Sequence, residues 1–318
     1  MGVEILEDHA LSALDLGKED WIVDNLISGT DRLLLVATQK VGKSIMALQL
    51  SSCVAGQHNF LGFNVDKPRK VLYIAGEGDI RELQKRRKKM EKVYPTIKDH
   101  LFFWPIPERP LNTPGGKADL IKVGLEYMPQ LTIFDPVYSL MRGSMKDDEA
   151  VGDFVRAVNT YQYTVKSAII VIHHTHRAIK ITNNWNDQAK VLDEGDDAFF
   201  GSMLWKAWPH MVFLLKKNAD ASRTLVCETH REEAPFEKPI ELTLVAPEPL
   251  LYTTKRDGYT PTDESIVYAL KYYGERSESE LAEMLKKNHA TVNIALNKLM
   301  RAGEVVGDEG RPRRYKCV

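Results

Sequence analysis

Along the first 250 residues, short segments that are apolar almost throughout alternate with segments of helical period. The apolar segments lie at 33–37, 71–75, 131–135, 168–173 and 211–215. Helical patterns fall between them at 43–54, 79–92, 117–128 and 148–163. A strand with one wet face alternates polar and apolar residues, whereas these strands offer no polar face. They therefore belong in a parallel sheet covered on both sides by the intervening helices. The expected fold class is α/β, with a mainly parallel central sheet over residues 21–250. Two further strand candidates, 225–228 and 240–245, follow.

Residues 1–20 read as a short acidic arm with one helical turn near 11–16, without a signal-peptide pattern. No apolar run approaches the roughly 18–20 residues that span a bilayer. The three cysteines, Cys53, Cys227 and Cys317, are scattered and form no CxxC pair, so neither a zinc site nor a disulfide framework is indicated. The expectation is a cytoplasmic protein with reduced thiols and no membrane partner. The formal net charge of the 318 residues is −1, so any contact with nucleic acid has to come from a local basic patch.

The first apolar strand runs directly into ATQKVGKS (37–44) and then into an amphipathic helix. This strand–loop–helix context is what the phosphate-binding loop G-x-x-x-x-G-K-[ST] requires. Only its first glycine is replaced, by Ala37. The backbone of Thr38, Gln39, Lys40, Val41, Gly42, Lys43, Ser44 and Ile45 would surround the phosphates of ATP with N–H groups at a helix N-terminus. Lys43 would place its ammonium between the β- and γ-phosphates, and Ser44 would offer its hydroxyl to Mg²⁺. A methyl group at position 37 is harmless unless the backbone there needs a positive φ.

Two more strands end in carboxylates, Glu77 and Asp135. In a parallel sheet all strand C-termini open on one edge, the edge of the phosphate loop. Asp135 suits the Mg²⁺ shell, as a metal ligand acting through water. Glu77 suits polarisation of the attacking water, and phosphoryl transfer asks for little beyond such positioning. The strand IIVIHHTH (169–176) brings His174 to the same edge, as a γ-phosphate sensor or as one of a hydrogen-bonded histidine pair.

Taken together these segments resemble the RecA-like P-loop ATPases of the hexameric helicase branch, in particular the RepA-type plasmid and phage helicases. The likeness is carried by WIVDNLI (21–27), ATQKVGKS, YIAGE (73–77), IFDPV (133–137), IHHT (172–175) and FFGSML (199–204). It implies that Glu77 is the catalytic carboxylate, that Asp135 is associated with Mg²⁺, and that His174 couples nucleotide state to DNA. It puts Arg86 near the nucleotide base. It also implies a homo-oligomer, a hexamer, in which Arg231 reaches the neighbouring subunit's γ-phosphate. Thr229 stands where a lysine often accompanies that arginine, so Lys216 or Lys217 share the role as alternatives. The segment 177–198 corresponds to DNA-facing loops, with Arg177 and Lys180 as candidate phosphate contacts. The implied function is an ATP-dependent DNA motor, a ring-forming replicative helicase. The same residues also fit an ATP-switched DNA-binding regulator or loader that does not unwind.

A stretch at 251–262 reads as a linker, bounded by Pro-containing segments. Beyond it, 263–318 carries three helical patterns and a basic hairpin, the expected signature of a winged helix. From Met284 onward eight Lys or Arg oppose three acids. In this reading Thr291, Asn293, Asn297 and Lys298 face DNA from a recognition helix. Val292, Ile294, Leu296 and Leu299 pack inward, and Arg311, Arg313 and Arg314 form a basic wing. A protein-docking winged helix is the alternative.

Overall fold

The computed structural model describes residues 7–15, 17–175, 201–229 and 234–318. Strands β1 (Trp21–Val23) and β2 (Ile27–Ser28) form a small hairpin ahead of the main sheet. The main sheet contains β3 (Arg32–Thr38), β4 (Val71–Ala75), β5 (Leu101–Pro105), β6 (Leu131–Asp135), β7 (Ala168–Thr175), β8 (Met211–Lys217), β9 (Arg223–Thr229), β10 (Ile240–Val245) and β11 (Leu251–Thr254). Their order is β11-β10-β9-β8-β3-β7-β6-β4-β5. The six strands from β8 to β5 run parallel, and β9, β10 and β11 complete the sheet antiparallel.

Side chains alternate between two packed layers, as the period of two along a strand demands. Leu33, Leu35 and Ala37 of β3 enter the layer that also holds α2 (Lys43–Gly56), while Leu34 and Val36 enter the opposite one. That opposite layer contains α4 (Pro114–Tyr127) and α5 (Asp148–Val165), with the short α6 (Leu204–Ala207) against α5. The same parity on β7 sends Ala168, Ile170 and Ile172 to the α2 layer, and Ile169 and Val171 to the other. Helix α3 (Ile80–Glu91) starts behind Asp79, whose side chain accepts from the Arg81 N–H at 3.0 Å.

Three details depart from the sequence expectation. Helix α4 begins at Pro114 rather than 117, because Pro114 fits the first helical turn and Thr113 accepts from the Gly116 N–H at 3.2 Å. Strand β5 lies where no element was expected. It is a half-buried edge strand, so its pattern carries neither full apolarity nor clean alternation. The segment 251–262, expected as a linker, opens instead with β11, paired to β10 from Val245–Leu251 to Leu242–Thr254. The arm contributes α1 (Asp8–Ser12), which buries no residue.

The C-terminal residues form α7 (Pro261–Tyr273), α8 (Glu278–Leu285) and α9 (His289–Arg301) around their own apolar cluster. A small antiparallel sheet, β12 (Arg276–Ser277), β14 (Arg314–Cys317) and β13 (Val305–Gly307) in that order, closes the unit. Both α7 and α8 start in capping boxes, Thr260 with Asp263 and Ser277 with Glu280. The unit rests on the sheet's last strands, where Tyr268 and Tyr272 pack against Val245 and Leu251. Among the described residues no helix is long and apolar enough to cross a membrane.

Candidate nucleotide-binding site

The parallel strands deliver one row of side chains to one edge of the sheet. Tyr73, Asp135 and His174 share the α2 parity of their strands, and the loop 38–42 turns over them into α2. A single pocket is lined by Gln39, Lys40, Gly42, Lys43, Ser44, Ile45, Glu77, Arg86, Asp135 and His174. Every expected nucleotide-site residue lines it except Thr38 and Val41 among those described. Thr38 turns its carbonyl to Lys43, and the Val41 side chain is buried in the α2 layer. Arg231, Arg177 and Lys180 lie outside the described residues.

Ala37 needs no glycine. It is fully buried in β3, paired with His174, and its φ is not positive. The left-handed turn falls later, at Lys40 (φ 60°) and at Gly42 (φ 112°), which caps α2. Gly42 also leaves space that a Cβ would take from the Tyr252 hydroxyl. The geometry therefore demands glycine at position 42, and the methyl at 37 simply joins the core.

Lys43 is 3% exposed, and its Nζ donates to the carbonyls of Ala37 at 2.7 Å and Thr38 at 2.8 Å. Burial lowers its pKa to about 8, against the pull of the Asp135 charge. This ammonium closes the loop on itself and lies at the pocket wall. Burial raises the pKa of Asp135, while Tyr73, Ser44, Lys43 and Arg86 oppose the rise. The Tyr73 hydroxyl donates to Asp135 Oδ2, and burial keeps that phenol protonated. Asp135 Oδ1 is buried with no hydrogen-bond partner. A serine hydroxyl beside an orphaned carboxylate oxygen fits a hard cation bound through oxygen and water, so Ser44 and Asp135 suit Mg²⁺. When bound, Mg²⁺ would neutralise charge on the phosphate oxygens.

Glu77 follows β4 on the open rim. Burial, and then the Asp135 charge, raise its pKa. Arg86 projects from α3 and shares its guanidinium with Glu82 at 3.2 Å. The two histidines separate by parity: His174 faces the pocket and meets the Tyr138 ring edge-on, whereas His173 meets Trp205 in the opposite layer.

Tyr73, Tyr138 and Tyr252 are the participants that sequence reasoning did not single out. Tyr73 sits inside a strand pattern whose parity with Asp135 was readable in principle. Tyr252 was hidden in the expected linker.

This fold and this edge define a P-loop nucleoside triphosphatase with a RecA-like α/β core. The chain belongs to the AAA domain family, whose model matches residues 6–178. Among solved structures it is similar to a KaiC-like protein of the hyperthermophilic archaeon Pyrococcus horikoshii OT3. That likeness has a TM-score of 0.51 at 12% identity, over 74% of this chain and 94% of the other, and it concerns the fold. No curated protein matches the chain.

In the C-terminal unit the expected contact residues divide. Arg311 and Arg313 are exposed on the β13–β14 turn, and Arg314 donates to the Glu275 carbonyl at 3.0 Å. Thr291 lies half-buried in the first turn of α9. Asn293 and Asn297 line one exposed face of α9, with Asn293 donating to Glu278 at 2.8 Å. Lys298 departs from that face. Its ammonium is joined to Asp263 and to the Gly258 carbonyl, which ties α9 to the start of α7. Ile294, expected inside, is 71% exposed, because Val292, Ala295, Leu296 and Leu299 already fill the inward face.

Proposed function

We propose that the chain is an ATP-driven DNA motor that works as a ring of identical subunits, of the replicative-helicase type. In this reading Lys43 and the loop N–H groups hold the β- and γ-phosphates. Ser44 and Asp135 hold Mg²⁺, and Glu77 orients the attacking water. His174 reports the γ-phosphate to residues 177–198, with Arg177 and Lys180 on the DNA. Arg86 lies beside the base.

The observation that carries the ring is the direction of β9. It runs antiparallel to β8, and its last residue, Thr229, pairs with Val212 near the start of β8. The chain thus leaves β9 at the sheet edge opposite the phosphate loop. In this reading Arg231, two residues further along the chain, serves a neighbour's loop, where it would stabilise charge growing in the transition state. Lys216 and Lys217 end β8 on the loop edge, which favours a role within their own subunit.

The test is ATP turnover with and without single-stranded DNA, together with native mass and unwinding of a forked duplex. DNA-stimulated turnover, a mass near six subunits and strand displacement are expected. Robust turnover without strand displacement would replace the motor by the regulator or loader. One observation favours the protein-docking alternative for the C-terminal unit. Taken as a winged helix, its α9 presents Ile294 and an Asn293 paired with Glu278, a surface better suited to a protein than to a phosphate backbone.

A further inference from the structure

The phosphate loop is held from behind by two residues that lie beyond the stretch matched by the family model. The carbonyl of Val41, the residue before Gly42, accepts from the Tyr252 hydroxyl at 2.8 Å and from Arg223 Nε at 3.0 Å. Both donors are buried, at 1% and 6% exposure. Tyr252 is itself fixed to the helix that follows the loop. The Gln49 side-chain amide accepts from the Tyr252 N–H at 2.6 Å and donates to its carbonyl at 2.8 Å. Gly42 is shaped to admit the same phenol, since any side chain there would meet the Tyr252 hydroxyl.

We infer that Tyr252 and Arg223 are positioning residues for the phosphate loop. A peptide carbonyl and the following N–H belong to one rigid unit, so anchoring the Val41 carbonyl fixes the plane of the Val41–Gly42 peptide. The Gly42 N–H then points away from the anchor, into the pocket where phosphate oxygens bind. The anchor also holds Gly42 at its left-handed φ, from which α2 starts. Neither residue lines the pocket. Each sets the loop's shape before ATP arrives, so the loss should fall on binding rather than on the chemical step. Tyr252 belongs to β11, four residues before Arg256, which grips Glu264 and Glu304 of the C-terminal unit at 2.6 Å each. The loop and that unit are therefore linked through β11 and the two residues that follow it.

The experiment measures binding of a fluorescent ATP analogue with Mg²⁺ by full-length wild type, Tyr252→Phe, Arg223→Gln and Tyr268→Phe, with melting temperatures alongside. Tyr268→Phe is the control. It also removes a tyrosine hydroxyl bond to β11, here to Thr253 at 3.2 Å, but that bond does not reach the loop. Tyr252→Phe should weaken binding about three- to tenfold, the worth of one buried hydrogen bond, with turnover at saturating ATP unchanged. Arg223→Gln should weaken it by at least as much, and Tyr268→Phe should bind as wild type does. Wild-type affinity in Tyr252→Phe would overturn the inference, and so would equal losses in Tyr252→Phe and Tyr268→Phe. Should Tyr252→Phe unfold, Arg223→Gln serves in its place, because it removes the other donor to the Val41 carbonyl, and unchanged affinity would again overturn the inference. Failure of wild type itself to bind would instead remove the nucleotide-site reading.

Discussion

At the loop edge of the sheet, Lys43, Asp135 and Tyr73 are buried beside one another, with a carboxylate oxygen left without a partner. In the C-terminal unit four cations have partners within the unit or beside it: Lys298 with Asp263, Arg256 with Glu264 and Glu304, Arg314 with Glu280, Lys316 with Glu275. The first arrangement costs stability and is poised for a ligand that brings its own charge. The second is spent on holding short helices together, and leaves Arg311 and Arg313 on the turn as exposed cations. Composition alone makes both regions look equally charged. The difference lies in whether a charge already has its counterion.

The sharpest way to break this contrast is at Glu77. Glu77→Gln should keep ATP binding and lose turnover about 10²- to 10⁴-fold, as for removal of a positioned base. Comparable turnover would return Glu77 to the status of a rim residue. Next comes Lys43→Ala, expected to weaken ATP binding by about a hundredfold, on the scale of one or two charge-assisted hydrogen bonds to phosphate. In the other region the matched change, Lys298→Ala, should spare ATP binding. It should destabilise the fold by about 1–3 kcal/mol, measured by denaturant unfolding, because it leaves Asp263 buried without its cation. A drop in DNA affinity with unchanged stability would mean that Lys298 serves the ligand after all. Arg311→Ala with Arg313→Ala should weaken any DNA binding and lower its salt slope by about 2, one for each phosphate contact. An unchanged slope would favour the protein-docking alternative.

The smallest effect concerns pH. Lys43 must be charged to hold phosphate, and its pKa in the free site is about 8. Below that value the ammonium is formed and affinity for ATP is flat. Above it the neutral amine grows and affinity falls as pH rises. A titration of binding from pH 6.5 to 9.5 should therefore bend near 8, and a flat profile would show that the loop lysine is not desolvated.

Much of the core was legible in the residues. The segments 71–75 and 131–135 coincide with β4 and β6, because a doubly covered strand is apolar nearly over its whole length. Glu77, Asp135 and His174 were legible as strand-end residues, since parallel strands can only end on one edge. What stayed hidden depended on neighbours distant in sequence. That Tyr73 meets Asp135 follows from the register of β4 on β6 and not from either segment alone. Strand β11 was masked by prolines at 247, 249 and 261, which read as a linker although four residues between them pair with β10. Lys298 looked like a row-mate of Asn297, but one step around a helix is about 100°, enough to carry it from the open face to the start of α7. Ile294 looked like core because it is apolar, whereas the inward face of α9 was already full.

In the proposed ring an ATP site takes its loop edge from one subunit and its last cation, Arg231, from the next. Turnover by mixtures of Arg231→Ala and Lys43→Ala subunits measures this directly. Each variant alone should be inactive, and mixing should restore part of the wild-type rate, because an interface between them can hold both an intact loop and an intact arginine. Mixtures no more active than the separate variants, with assembly intact by native mass, would contradict it.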